Sequence, residues 1–301
     1  FVHEEYLRDF RQPALQSDLI DRIDITGDTT LSLQYTKDGF VMKAPVEYPA
    51  DPSKMDALLK YVERMAFESY LGKQEENDLE ALGLKEPCIT LTLTQAPSTV
   101  TGITAQGETL SYDVPEKTYT LTLGKDTGRS GVYLGWEGGV YKGSNFLFGV
   151  WKELKPEEFY SKTPMNFQVD RLQRISVETQ KEKAVYELEM VEVITENNQI
   201  ATDEYGQVLY DVQIQKNGET ADAETFLNWY VQLNQASLSG TVPAGAQPEG
   251  EILATLLFET DAVERRVAFR SFDALHAAME VDGTTVFYLE KEALSLLNQL
   301  P

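Results

Sequence analysis

With 301 residues and 42% hydrophobic side chains, the chain can bury a sizeable core as one large domain or two of ordinary size, which excludes wholesale disorder. Lys and Arg total 26 against 49 Asp and Glu, a formal charge of −23; phosphate polyanions are repelled and general nucleic-acid binding is disfavoured. One cysteine rules out an intrachain disulfide, and two histidines leave few ligands for a zinc or triad site.

Residues 1–17 read as an N-terminal tail. The chain opens on Phe1 instead of Met, so an excised soluble piece of a longer protein is expected. Its most apolar stretch, Ile252 to Phe258, is far shorter than the about 20 residues of a spanning helix. From Asp21 to Tyr35 the alternation of Ile23, Ile25, Leu31 and Leu33 predicts two strands, and Lys37-Asp38-Gly39 a turn into Phe40-Val41-Met42. Asp51 or Ser53 caps a helix carrying Leu58, Tyr61, Val62 and Met65. Two-periodic strands follow at Ile89–Leu93 and Tyr119–Leu123. A hairpin then turns at Glu137-Gly138-Gly139, and a short helix from Ser144 has Leu147, Val150, Trp151 and Leu154 as its apolar stripe.

The second half repeats this order. Arg171–Val177 aligns with Leu19–Ile25 at an offset of 152. Strands at Val185–Val193 and Tyr210–Ile214 flank a polar loop around Glu196 to Gly206, and a helix from Asp222 presents Phe226, Trp229, Tyr230 and Leu233. After Ile252–Phe258 and Val267–Phe269, a hairpin turns at Asp282-Gly283. The closing helix sets Ala293, Leu296, Leu297 and Leu300 against Leu147 to Leu154 at an offset of 146. The expected fold class is therefore α+β: two duplicated units, 18–165 and 166–301, each a mainly antiparallel sheet packed with helices. Gly240 to Pro248 reads as a loop in the second unit.

From Ala81 to Val177 the sequence resembles a known family. Leu82-Gly83-Leu84-Lys85-Glu86-Pro87 before a strand, Leu121-Thr122-Leu123-Gly124-Lys125, the paired Val132-Tyr133 and Val140-Tyr141, and Phe159-Tyr160-Ser161-Lys162 leading to Ile175 carry the likeness. Phe40-Val41-Met42-Lys43-Ala44-Pro45 and the helix after it fit too. Together they resemble the bacterial domain of unknown function 4340. The resemblance implies an N-terminal membrane anchor with the domain outside the cytoplasm, and for some members an auxiliary association with gliding-motility ABC transporters. It supplies no catalytic motif, so no residue's role carries over.

The residues themselves offer little chemistry. His3, His276 and Cys88 have no ligand spacing, and Cys88 reads as a small buried hydrophobe. Asp21, Asp24 and Asp28, and the turn Asp203-Glu204-Tyr205-Gly206, are weighed for calcium but fit solvated turns better, since no Asp-x-Asp-x-Asp-Gly loop exists. Gly135, Gly138, Gly139 and Gly143 lack the Gly-Lys-Ser/Thr end of a phosphate loop, and Gly128-Arg129-Ser130-Gly131 is no nucleophile elbow. Aromatics are denser around the first hairpin. Trp136 at its tip, with Tyr133 and Tyr141, forms a candidate interaction surface, against the alternative of local packing on the other unit.

The expectation is thus a non-enzymatic, extracytoplasmic, membrane-tethered interaction or scaffold module. Its partner would be a protein at the membrane, ABC-transporter subunits being the class the resemblance points to, with no nucleic acid, cofactor or metal. The alternative is a cell-envelope hydrolase or ligand-binding protein using surface carboxylates, none of which the sequence singles out.

Overall fold

A computed structural model describes residues 13, 15–103, 109–128, 130–195, 197–243, 246 and 248–301. Most of the expected tail, with His3, lies outside the described residues, as do Arg129, Glu196 and part of the Gly240–Pro248 loop. The chain forms two compact units, Phe1–Ser161 and Lys162–Pro301.

In the first unit the elements run β1 (Ile20–Gly27), β2 (Thr30–Thr36), β3 (Gly39–Ala44), β4 (Tyr48–Pro49), α1 (Pro52–Glu63), β5 (Phe67–Lys73) and β6 (Ile89–Gln95). They continue with β7 (Ser98–Ile103), β8 (Thr109–Val114), β9 (Lys117–Asp126), β10 (Gly131–Trp136), β11 (Gly139–Ser144), α2 (Asn145–Phe148) and α3 (Val150–Glu153). Nine of these strands form one antiparallel sheet in the order β4-β3-β2-β1-β6-β9-β10-β11-β5, while β7 and β8 pair only with each other. The second unit runs β12 (Leu172–Thr179), β13 (Lys183–Glu192), β14 (Tyr210–Lys216), β15 (Glu219–Ala221), α4 (Ala223–Asn234) and β16 (Leu238–Thr241). It ends with β17 (Ile252–Thr260), β18 (Glu264–Ser271), β19 (His276–Val281), β20 (Thr284–Glu290) and a 3-10 turn over Lys291–Asn298. Its sheet order, β15-β14-β13-β12-β17-β18-β19-β20-β16, follows that of the first sheet element for element.

The expected α+β class is corrected by these elements: the fold is β-rich. Strand accounts for 50% of the described residues and helix for 19%, dominated by two large antiparallel sheets. Each unit holds one 12-residue helix. The segment expected as a helix from Ser144 is two four-residue turns, split at Gly149, with Phe148 and Trp151 buried. The closing segment is a 3-10 helix whose buried residues, Leu294 and Leu297, fall three apart; of the expected stripe Ala293, Leu296, Leu297 and Leu300, Leu297 alone is buried.

Register explains where the core lies. Opposed residues of neighbouring strands share a face. Ile25 faces Leu91, Leu91 faces Leu121 and Leu121 faces Trp136. In the second sheet Val177 faces Leu256, which faces Val267, which faces Val281. All eight are buried, while the alternate positions Thr90, Thr92, Thr118 and Thr120 are not. Both long helices are capped as their sequences require. The Asp51 carboxylate accepts from the Ser53 and Lys54 N–H groups at 2.9 and 3.2 Å, and that of Asp222 from Thr225 N–H at 2.8 Å. The hairpins at Glu137-Gly138 and Asp282-Gly283 have two successive positive φ angles, 46° and 78°, then 49° and 86°, the geometry that keeps two-residue turns in step with strand twist. Among the described residues no helix is long and apolar enough to cross a membrane.

Candidate functional site

The first hairpin places its three aromatics differently from the expectation. Trp136 is 5% exposed and packs within its own unit: its ring lies parallel to Tyr119, centroids 5.5 Å apart, and 6.1 Å from Phe67. The alternation Val132, Leu134, Trp136 keeps it in phase with the core face although it ends the strand. Tyr141 opposes Leu134 on that same face and stacks on Phe67 at 4.5 Å. Tyr133 opposes Lys142 on the other face, half-buried, with the ammonium 5.8 Å from its ring. The structure therefore brings Trp136 and Tyr141 together around Phe67, with Trp136 and Phe67 buried in the core and Tyr141 half-buried beside them, and leaves Tyr133 apart from them. Phe146, one position into α2, is 89% exposed.

The ionisable groups are held in local structural roles. Asp203 is a turn-former, its carboxylate accepting from the N–H groups of Tyr205 and Gln207, both at 2.8 Å. Asp24 is bound by Arg22 and by the Ser32 hydroxyl. The most buried carboxylate pairing is Glu280, bonded to Arg266 at 2.8 Å and Arg270 at 2.7 Å. Burial pushes its pKa up, yet the bonds from Arg270 and Arg266 outweigh it and hold the group below the usual range. Asp273 is lowered by its bond to His276 Nδ1 at 2.8 Å, and Asp126 by Lys152 at 2.8 Å. Cys88, expected buried, is exposed, with Sγ 3.2 Å from the Leu123 carbonyl oxygen. No cluster of three His, Cys, Asp or Glu able to hold a metal occurs among the described residues. One cavity of about 280 Å³ in the second unit has Lys181 and Lys291 as its charged lining, over Leu294 and Leu297.

Two features stand out from the sheets. In the first unit β7 and β8 form a free ribbon. Its one face carries Val100 opposite Tyr112 and Gly102 opposite Leu110; its other face carries Thr99 bonded to Asp113 and Thr101 bonded to Ser111. Leu110 and Tyr112 are exposed.

In the second unit the long connection between β13 and β14 is an ordered arm. β12 pairs with β13 no further than Glu187, but the β13–β14 ladder continues to Glu192 opposite Tyr210. Beyond it three backbone bonds close a ring: Val193 N–H to Leu209 O at 2.9 Å, Leu209 N–H to Ala201 O at 2.9 Å, and Ala201 N–H to Val193 O at 2.7 Å. Two small turns hang from this ring. One is closed by Thr195 and Gln199, whose main-chain bond is backed by the Thr195 hydroxyl; the other by Asp203 and Gln207. Asn198 and Gly206 supply the positive φ angles, 60° and 80°. Ile194, Ile200, Tyr205, Val208, Leu209 and Tyr210 are all left exposed on this arm, Tyr205 to 81%. Read as a polar loop, the segment conceals a signal that would have found it: Val193, Ala201 and Leu209 recur every eight residues, with Thr195 and Asp203, and Gln199 and Gln207, in matching places.

The family model for the domain of unknown function DUF4340 matches residues 41–251, from within β3 to the residue before β17. The chain belongs to that family. The match covers β4 to β16, part of each sheet, together with the whole arm, so the arm lies inside the family region. No curated protein and no solved structure matches the chain.

Proposed function

We propose that this family member is an extracytoplasmic, membrane-tethered interaction module that acts as an accessory to an ABC transport system. The observation that carries the interaction reading is the arm: an ordered, hydrogen-bonded backbone that keeps six large apolar side chains in solvent. Folding ordinarily buries such residues, and an exposed apolar patch on an ordered element is the mark of a surface completed by a partner. The free β7–β8 ribbon, with Leu110 and Tyr112 exposed, gives the first unit a second surface of the same kind. The cellular setting and the transporter rest on the family resemblance, in which members carry an N-terminal anchor. The carboxylate-hydrolase alternative draws no support from the ionisable groups, because Asp126, Asp222, Asp273 and Glu280 are each lowered by a partner or a cap instead of facing one cleft.

The test is a crosslinked pull-down of the full-length protein from its native membranes, with partners identified by mass spectrometry. Stoichiometric recovery of ABC-transporter subunits is the expected result. Recovery of no protein partner from membranes where the protein is intact would overturn the proposal.

A further inference from the structure

We infer that the arm between β13 and β14 docks onto a basic protein surface that presents apolar pockets; this rests on the interaction-module reading and names the chemistry of the partner. From Ala184 to Gln215 the sequence has seven acidic side chains and no basic one, a run of 32 residues. At the base of the arm Glu187 is taken by Arg174, at 2.9 Å. Further out, Glu189, Glu192 and Glu204 have no ion-pair partner among the described residues, and the same stretch carries exposed Ile194, Ile200, Tyr205, Val208, Leu209 and Tyr210. Acidic groups surrounding exposed aliphatic and aromatic anchors match a partner with the reverse pattern, a cationic rim around apolar pockets. The ring of three main-chain bonds and the side-chain-braced turns hold the anchors in place before any partner arrives, so little ordering is needed on binding.

Charge decides between this occupant and the others. An anionic bilayer is repelled by an arm with no cation, even though the exposed side chains are apolar enough to insert. A second copy would bring the same acidic arm and a chain whose formal charge is −23. A cationic protein surface satisfies both the carboxylates and the apolar anchors.

The experiment places a photoreactive benzophenone amino acid at Tyr205 of the full-length protein in its own cells, and in parallel at Tyr112 on the ribbon and at exposed Tyr35 on β2. Cross-linked peptides are sequenced by mass spectrometry, and circular dichroism of each purified variant checks folding. The expected result is a Tyr205 adduct with a protein segment of net positive charge, several-fold above the yield at Tyr35. Combining Glu189→Lys, Glu192→Lys and Glu204→Lys should cut that adduct by about tenfold while leaving the Tyr112 yield unchanged. An adduct with lipid, with a second copy, or with an acidic or neutral segment overturns the inference. Capture at Tyr112 without capture at Tyr205 overturns it and leaves the interaction-module reading standing; no capture at any position takes both down.

Discussion

Replacing Trp136 by alanine separates a core residue from a contact residue. The indole is 5% exposed, parallel to Tyr119 and against Phe67, and it continues the stripe that runs from Ile25 through Leu91 and Leu121. Truncating a buried Trp costs about 3–5 kcal/mol, from lost transfer energy and from the cavity left behind. The site abuts the Glu137-Gly138 turn, where neighbouring rings can relax into part of the gap, which sets the expectation near the lower value, about 3 kcal/mol. The first unit spans Phe1–Ser161, so that loss lowers its melting temperature by about 6–12 °C. Urea and thermal unfolding of the whole chain, followed by circular dichroism, reads this directly. Phe146→Ser is the internal contrast: at 89% exposed it should cost less than about 0.5 kcal/mol. A cost below about 1 kcal/mol for Trp136→Ala, or a larger cost for Phe146→Ser, would refute the placement of these rings.

Other expectations concern backbone, pH and the arm. Gly143→Ala would put a Cβ 2.5 Å from a Phe148 ring carbon and 2.6 Å from a Leu134 methyl, overpacking worth about 1–3 kcal/mol; denaturant titration checks it. The Tyr230 hydroxyl is buried between the Phe167 N–H and the Met165 carbonyl oxygen, each at 2.8 Å, and burial pushes its pKa up to about 12. Below about pH 10 the phenol is protonated in both states; between about 10 and 12 only the unfolded chain ionises, so stability falls by roughly 2.7 kcal/mol over that window. Tyr230→Phe should remove that part of the slope, and identical alkaline slopes for the two proteins would contradict the burial. Asp203→Ala removes the acceptor for the Tyr205 and Gln207 amides, so their hydrogen exchange should accelerate while global stability changes by less than about 1 kcal/mol. Loss of the global transition instead would show that the arm is integral to the core.

Strands whose one face is dry were legible in the sequence. Ile23 and Ile25, Leu91 and Leu93, Leu121 and Leu123 alternate cleanly because opposed neighbours hold every second residue in the core. The caps at Asp51 and Asp222 and the turns at Glu137-Gly138 and Asp282-Gly283 were legible for the same kind of reason, since local chemistry alone dictates them. Short edge strands were not. Tyr48–Pro49 and Glu219–Ala221 are too brief for a period, and the bulges where Phe67–Lys73 meets β11 break its alternation. At the closing segment Ala293, Leu296, Leu297 and Leu300 fit an α-helical stripe, whereas the 3-10 helix buries Leu294 and Leu297, three apart. The candidate site misled more deeply. A hairpin tip suggested exposure for Trp136, whereas the strand's period already set its face. The arm escaped because Asn, Gln, Thr and Asp, usually a sign of solvated loop, are here the residues that brace its two turns.

Hydrogen exchange of the purified full-length protein, with and without the partner recovered from its membranes, tests the account most directly. Amides between Glu187 and Lys216 should slow on complex formation, above all around Ile194, Ile200 and Tyr205, with little change across β1, β6 and β9. Protection confined to another surface, or none at all in a complex that forms, would contradict the claim that this ordered, acidic and apolar arm is where the protein holds its partner.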